Sequence, residues 1–381
     1  MLFRSAEVAQ SSPGKSGVEA ATARGALRRF WRSARSFWRR APAWSLIALL
    51  VTCVVLQLLV QYRLNFWNRD FFNALEARDG RQIAHEAETL VALAAASIAL
   101  AVTAVWGRMT FQRLWRDWLT RGLIGAWLAD QRYLRVGFVN GQRQNAEYRI
   151  TEDARLATDA PIDLVVGLLS SLLTAGLFVT VLWEVGGSLD LRVWGGTASI
   201  PGYLVLASVI YAAGTTFAMM AIGRNMVDVI ERKNQTEADF KYVVARVNTR
   251  ATVEPQEGDA ETLAAAQKAV MRQWRRLCGQ HMRTTVISHG NTLLAPIIGL
   301  ILCAPNYVMG TVSLGEVTQA AAAFVAVQGA FNWLVDNYPR LAEWMSSAYR
   351  VGILLEAFDR LDGAELALDG EEPGSSTLPP T

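Results

Sequence analysis

Charge is scarce in this sequence. Only 19% of its 381 residues are Asp, Glu, Lys or Arg, against about a quarter in soluble domains. Cysteine and histidine are scarcer still, with three of each. Cys53, Cys278 and Cys303 are scattered, which excludes a disulfide framework and any metal-ligand spacing. No metal and no cofactor are therefore expected. A phosphate-cradling loop is also lacking. The only Gly-Lys-Ser is Gly14-Lys15-Ser16, and Ala9 stands where the first glycine of such a loop belongs. Without backbone amides arranged to hold phosphates, these residues carry no ATP-hydrolysing site, and the chain reads as a non-enzyme. A secretory leader is not expected either, because the first apolar run starts late and is too long.

Apolar residues are abundant, at 52%. Six uncharged blocks reach the roughly 20 residues that a helix needs to cross a hydrocarbon core: Ala41–Tyr62, Thr89–Gly107, Leu164–Trp183, Val193–Gly223, Thr284–Leu314 and Val317–Val335. Val193–Ile200, with Gly195 and Gly196, reads as a loop before the fourth helix. Pro305, Asn306 and Gly310 end the fifth. The fold class is an all-α membrane protein with six transmembrane helices and long helical extensions. Lys and Arg alternate between connections. Nine precede the first block, nine lie from Arg108 to Arg155 and eleven from Arg224 to Arg283, whereas the opposite connections hold only Arg63, Arg69, Arg78, Arg81 and Arg192. The positive-inside rule then puts both termini and both long connections in the cytoplasm. The net charge of +3 reflects basic flanks facing lipid headgroups, and no nucleic-acid partner is expected.

Three parts follow: a basic cytoplasmic segment over 1–40, a transport-type membrane domain over 41–361 and an acidic Gly/Pro/Ser-rich tail over 362–381, expected to be disordered. Within the first, Phe30, Trp31, Phe37 and Trp38 fit an interfacial helix with its aromatics among lipids, or a plain basic flank. In the long connections, Arg108–Arg132, Asn225–Arg250 and Glu261–Arg283 carry helical periodicity. Breaks fall at Gly137, Asn140-Gly141, Pro255 and Gly258. Each connection is thus a helical hairpin, with arms of about 25 residues reaching about 37 Å. On the outer side, Leu64, Trp67, Phe71 and Leu75 keep helical spacing. The first helix therefore continues several turns past the bilayer, to the Asp79-Gly80 turn.

Several stretches together resemble one group. They are LNFWNRDFFNALEARD after the first block, WRDWLTRGLIGAWLADQRYLR and NAEYRITEDARLATD in the first arm, IPGYLVLASVIYA, QTEADFKYVVARV in the second arm, and SLGEVTQAAAAFVAVQGAFNWLVDNYPRLAEW. The group is the SbmA/BacA peptide transporters and the closely related membrane domains of bacterial ABC transporters of that superfamily. The resemblance covers roughly Trp44 to Leu361. It implies an ABC-exporter-like transmembrane domain, a homodimer in the bacterial inner membrane, and import of peptides or peptide-like compounds. In one branch a proton gradient supplies the energy. In the other an ATPase domain follows the last helix. Coupling to the proton gradient is the reading expected here, and the alternative is the membrane-spanning half of an ABC transporter whose ATPase domain is missing or is a separate subunit. A non-transporting receptor or scaffold is the third reading.

Proton coupling needs carboxylates that are alternately wet and buried. The candidates are Glu184, Glu316 and Asp336 beside the apolar blocks, and Glu231, Glu237 and Asp239 at the inner necks, with Glu237 and Asp239 first because they fall in the matched QTEADF stretch. His289 lies within the fifth block. Arg149, Glu152 and Asp153 form a cytoplasmic elbow with spacings for intrahelical ion pairs of a few tenths of a kcal/mol. The substrate path is expected along Trp67, Asp70, Phe71 and Glu76, whose rings and charges suit cationic peptides. Gln328 and Asn332, with Gln319, are expected to face water or the partner protomer. The small residues around them suit close helix approach.

Overall fold

The computed structural model describes residues 15–39, 41–135, 146–193, 196–223, 225–251 and 259–369. The expected breaks at Gly137, Asn140-Gly141, Pro255 and Gly258 lie outside them. So does Gly14, whereas Lys15 and Ser16 open the first helix.

The chain is built from long helices. α1 (Lys15–Trp38) precedes α2 (Ala41–Glu76) and α3 (Gly80–Leu128). A 3-10 turn (Ala129–Gln131) leads to α4 (Arg132–Arg135). α5 (Ala146–Tyr148) passes through a π turn (Arg149–Asp153) into α6 (Ala154–Gly186). β1 (Ser188–Val193) and β2 (Gly196–Pro201) pair antiparallel, Ser188 opposite Pro201 and Val193 opposite Gly196. α7 (Tyr203–Gly223), α8 (Met226–Ala251), α9 (Asp259–Val308) and α10 (Leu314–Asp369) complete the order.

Among the described residues, five helices are long and apolar enough to cross a membrane: Pro42–Glu76, Gly80–Leu134, Ala146–Gly186, Tyr203–Val247 and Ala260–Val308. α10, the expected sixth, is not among them. Its candidate block carries Gln319, Gln328 and Asn332, whose amides lower its apolarity. The arms are continuous with the spans, because nothing between Gly80 and Leu128, or between Asp259 and Val308, removes enough helix bonds to stop the helix. Pro296 and Pro305 sit inside α9 without ending it.

Three expectations are corrected. Val193 and residues 196–200 are not a simple loop but strand positions of β1 and β2, and in β1 Leu189, Leu191 and Val193 alternate with polar residues in the sequence, a strand period. α10 runs on to Asp369, past the expected start of the tail at Asp362, since Ala364 to Leu368 are good helix formers. Phe30 and Phe37 do not sit among lipids, being 1% and 4% exposed in a protein core.

The described residues divide into two compact units. The first lies within Met1–Leu59, Ala95–Ser170 and Asn337–Thr381. Its core joins Phe30, Ala34 and Phe37 of α1, Leu46 and Leu50 of α2, Phe111, Trp115 and Leu119 of α3, Ala154 and Ala157 of α6, and Val351, Leu354 and Phe358 of α10. Phe37 stacks on Trp115 at 6.1 Å and meets Phe111 edge-on at 5.7 Å. Each such ring stabilises by about 1.5–3 kcal/mol on burial from water, enough to dock the otherwise polar α1. At Gly352 an added Cβ would lie 2.2 Å from the Ala26 carbonyl oxygen, so glycine sets the approach of α1 to α10.

The second unit lies within Val60–Ala94 and Ser171–Asp336. Its core joins Phe178 and Leu182 of α6, Tyr203 and Leu204 of α7, Ala295 and Cys303 of α9, and Ala320, Ala323, Phe324 and Val327 of α10. A Cβ on Gly299 would lie 2.9 Å from Ala321 Cα. The small residues of α10 thus serve contact with α9 of the same chain. α8 packs against α9 as the expected hairpin. α2 ends in a Schellman turn, with Asp79 N bonded to Ala74 O and Arg78 N to Leu75 O, which forces Arg78 to φ +54°. Asp79 Oδ1 then accepts from Arg81 N and Gln82 N, capping α3.

Candidate functional site: polar clasps on α10

In the first unit two carboxylates fasten α10. Asp153, fully buried, accepts from Arg350 Nε at 3.0 and 2.9 Å and from Nη2 at 2.6 Å. Arg350 Nη1 and Nη2 also donate to Ser346 Oγ and Ser347 Oγ, and Arg149 Nη1 reaches the Arg350 carbonyl at 3.4 Å. The Asp153 carboxylate raises the Arg350 guanidinium above the usual arginine value, chiefly through these hydrogen bonds. Ten residues along, Asp163 binds Arg340 Nη2, Arg108 Nε at 3.3 Å and Gln112 Nε2 at 3.0 Å. Between them Trp344 Nε1 donates to the Ala157 carbonyl. As the number rises along α6 it falls along α10, so the helices run antiparallel, joined by polar contacts over about 15 Å. The π turn delivers Asp153 into this seam; its widened turn places the carboxylate inward, and such turns mark functional positions.

Of the elbow residues, Asp153 reaches across to α10, where a buried carboxylate finds the several donors it needs. Glu152 pairs with Arg155 at 2.5 Å within the helix, and Arg149 reaches the Arg350 carbonyl.

In the second unit the segment after the first span also meets α10. Asn65 Nδ2 donates to the Gln319 carbonyl at 3.0 Å, and Asn73 Oδ1 accepts from Gly315 N at 2.9 Å. A Cβ on Gly315 would lie 2.1 Å from Arg69 O. Glu76 accepts from Leu314 N at 3.4 Å and from the Tyr307 hydroxyl at 3.3 Å, placing its charge at the positive end of α10. Asp70 is held by Arg69 at 3.0 Å and Arg63 at 3.6 Å. Trp67 donates to the Glu86 carbonyl and stacks on Phe71 at 5.1 Å. Both rings are half-buried.

The other candidates scatter. Glu316 and Ser313 form a capping box, Glu316 Oε2 accepting from Ser313 N at 2.7 Å and Ser313 Oγ from Glu316 N at 3.2 Å. Glu237 binds Lys233 at 3.2 Å and accepts from Trp274 Nε1, with the Lys233 ammonium 5.0 Å from that ring's centre. Glu231, Asp239, Glu184, Asp336 and His289 are exposed, and Asn332 is half-buried. Gln328 faces neither water nor a partner. It is 1% exposed, and its Nε2 donates to the Ser208 carbonyl of α7 at 2.8 Å. Gln319 is equally buried. Their amides face inward because an amide on the lipid side would lack any partner.

Asp163, Arg340, Trp344 and Arg350 were not singled out from sequence. Their signal was arginines ten apart on the last helix facing acids ten apart on another, legible only once the two helices are paired. Glu86 was also missed. It is 6% exposed, and its Oε2 is buried without a hydrogen-bond partner.

Comparison with known proteins places these features. Residues 36–308 match the family described as ABC transporter transmembrane region 2. The chain is 25% identical over 319 residues to the inner membrane ABC transporter ATP-binding protein YddA of Escherichia coli, covering 81% of this chain and 57% of that protein. It is 22% identical over 349 residues to an ABC transporter ATP-binding protein of Haemophilus influenzae (88% and 57%). It is 22% identical over 324 residues to the chloroplastic ABC transporter D family member 2 of Arabidopsis thaliana (81% and 43%). The chain thus spans about half the length of these relatives. The match over most of the chain and the long apolar helices agree: this is a multi-pass all-α membrane protein belonging to the ABC transporter transmembrane region 2 family.

Proposed function

We propose that the chain is the membrane-spanning half of an ABC-type transporter that works as a homodimer in a bacterial inner membrane, with an ATPase supplying the energy and peptides or peptide-like compounds as cargo. The observation that carries this reading is the α6–α10 clasp. A power stroke applied at one end of α10 must reach the spans without being lost in side-chain slack. A multidentate guanidinium–carboxylate contact, a second, single one and an indole bond over about 15 Å make α6 and α10 move as one piece. The relatives that extend further along the chain are ATP-binding proteins by name, which supports ATP as the source.

Coupling to a proton gradient is the second reading. Of the acids expected to serve it, Glu237, one of the two placed first, and Glu316 are committed to local bonds. Glu86, buried and incompletely bonded, is the group that favours it. Peptide cargo rests on the family resemblance and on the aromatic and acidic residues Trp67, Asp70 and Phe71. Both energy sources are tested in one experiment. Uptake of a labelled cationic peptide is measured in cells carrying the full chain, with a protonophore or with ATP depletion. ATP-driven transport survives the first and stops with the second. The reverse outcome refutes it, and no uptake above a chain-free strain refutes the cargo.

A further inference from the structure

α1 has two faces with opposite commitments. At about 100° per residue, Ala26, Phe30, Ala34 and Phe37 cluster on one side, and all are buried in the first unit. Arg28, Arg32, Arg35 and Arg39 fall within about 60° on the opposite side, and all four are exposed. Among the described residues none of the four pairs with a carboxylate. Arg29, on the flank, is taken by Asp359 at 2.5 Å, and this partner raises its guanidinium above the usual value. The apolar face is therefore used up by protein, and an unneutralised row of four guanidinium groups about 16 Å long remains.

The position of this row follows from two contacts. Trp115 of α3 lies 6.5 Å from Phe30 and 6.1 Å from Phe37. Phe37 meets Phe111, Trp115 and Trp118 alike, at 5.7, 6.1 and 5.8 Å, and Phe30, seven residues earlier, still meets Trp115, so the contact does not advance along α3 and α1 crosses it. α3 continues from a membrane span, and a helix crossing it at one level runs along the bilayer surface. The chain tethers it there, since α1 ends at Trp38 and the next span begins at Pro42. Trp44, 59% exposed, marks the same boundary, where indole rings settle among headgroups.

We propose that the Arg28, Arg32, Arg35 and Arg39 face is a binding site for anionic phospholipid headgroups of the adjoining leaflet. Phosphate is the complementary chemistry. Guanidinium groups bind it in a bidentate fork, and basic residues at a membrane surface each add attraction toward anionic lipid. The lipid is held chiefly by charge and hydrogen bonds, because Phe30 and Phe37 are in the protein core and Trp31 is left as the exposed ring of α1. Occupancy thus pins the α1–α10 contact at the bilayer surface. The inference rests on the membrane embedding of the family, and not on the proposed cargo or energy source.

The test uses the full chain in nanodiscs of phosphatidylcholine with a minor fraction of photoactivatable phosphatidylglycerol. Crosslinks to the α1 peptide are counted relative to crosslinks on α3, where Val102 and Met109 are exposed. The quadruple variant Arg28→Gln, Arg32→Gln, Arg35→Gln, Arg39→Gln lowers this ratio by about tenfold or more, and the matching quadruple Lys variant retains most of it. Near-UV circular dichroism of the aromatic cluster checks that the Gln variant keeps α1 docked. An unchanged ratio in the Gln variant overturns the proposal, as does equal labelling of α1 by photoactivatable phosphatidylcholine.

Discussion

Removing Arg350 should harm this protein more than removing Asp153, although the two belong to one contact. Asp153 is 0% exposed, whereas the Arg350 side chain is 37% exposed. In Arg350→Ala, a buried carboxylate loses the partner that supplied three hydrogen bonds. Breaking a buried pair this way costs about 3–5 kcal/mol. In Asp153→Ala, the guanidinium still has Ser346, Ser347 and water as acceptors, so the cost falls to about 2 kcal/mol. Removing both together should cost less than the sum, with a coupling of about 2 kcal/mol. Arg350→Lys keeps the charge but cannot reproduce the fork and should lie between parent and Arg350→Ala. The assay is denaturant unfolding of the full chain in detergent, followed by tryptophan fluorescence, with ATP-dependent uptake measured in parallel. If the clasp carries motion, uptake falls in Arg350→Lys even where the unfolding curve barely moves. Equal costs for the two alanine variants, or strict additivity in the double, would falsify this account of the pair.

Five further outcomes are expected. Arg78→Gly relieves a positive-φ residue at the end of α2 and should raise stability by about 1 kcal/mol, seen as a later unfolding midpoint. Gly202→Ala should lower it sharply, because Gly202 is at φ +64° and an added Cβ would lie 2.4 Å from the Trp183 ring; a variant as stable as the parent refutes the geometry. Glu76→Gln should cost about 0.3–1 kcal/mol through loss of charge at the α10 terminus. Asp70→Asn should affect uptake of cationic peptides instead, so the two are read separately by unfolding and transport. Gln328→Leu should stay within about 1 kcal/mol of the parent, since it trades one hydrogen bond for relief of the unpartnered Gln328 Oε1; a large loss would show that the Ser208 bond holds α7 to α10.

The apolar blocks, their helical state and the continuous arms were legible in the amino-acid sequence. Length, periodicity and lack of charge act locally, and a helix in a bilayer must satisfy its own backbone. The extension of α2 past the span to Glu76 was equally visible in the spacing of Trp67, Phe71 and Leu75. What the tertiary structure decided was the fate of the polar residues. Asp153 reads from sequence as one member of an i, i+4 elbow, yet it meets Arg350, 197 residues away. Gln328 reads as an amide for water or a partner, yet it serves Ser208 inside the unit. Phe30 and Phe37 read as lipid anchors, yet they fill the core around Trp115. A single sequence fixes which faces are apolar and which groups need partners. It does not say which distant helix supplies them, because apolar burial sets the choice of neighbour and hydrogen bonds then form between whatever polar groups that packing brings within about 3 Å.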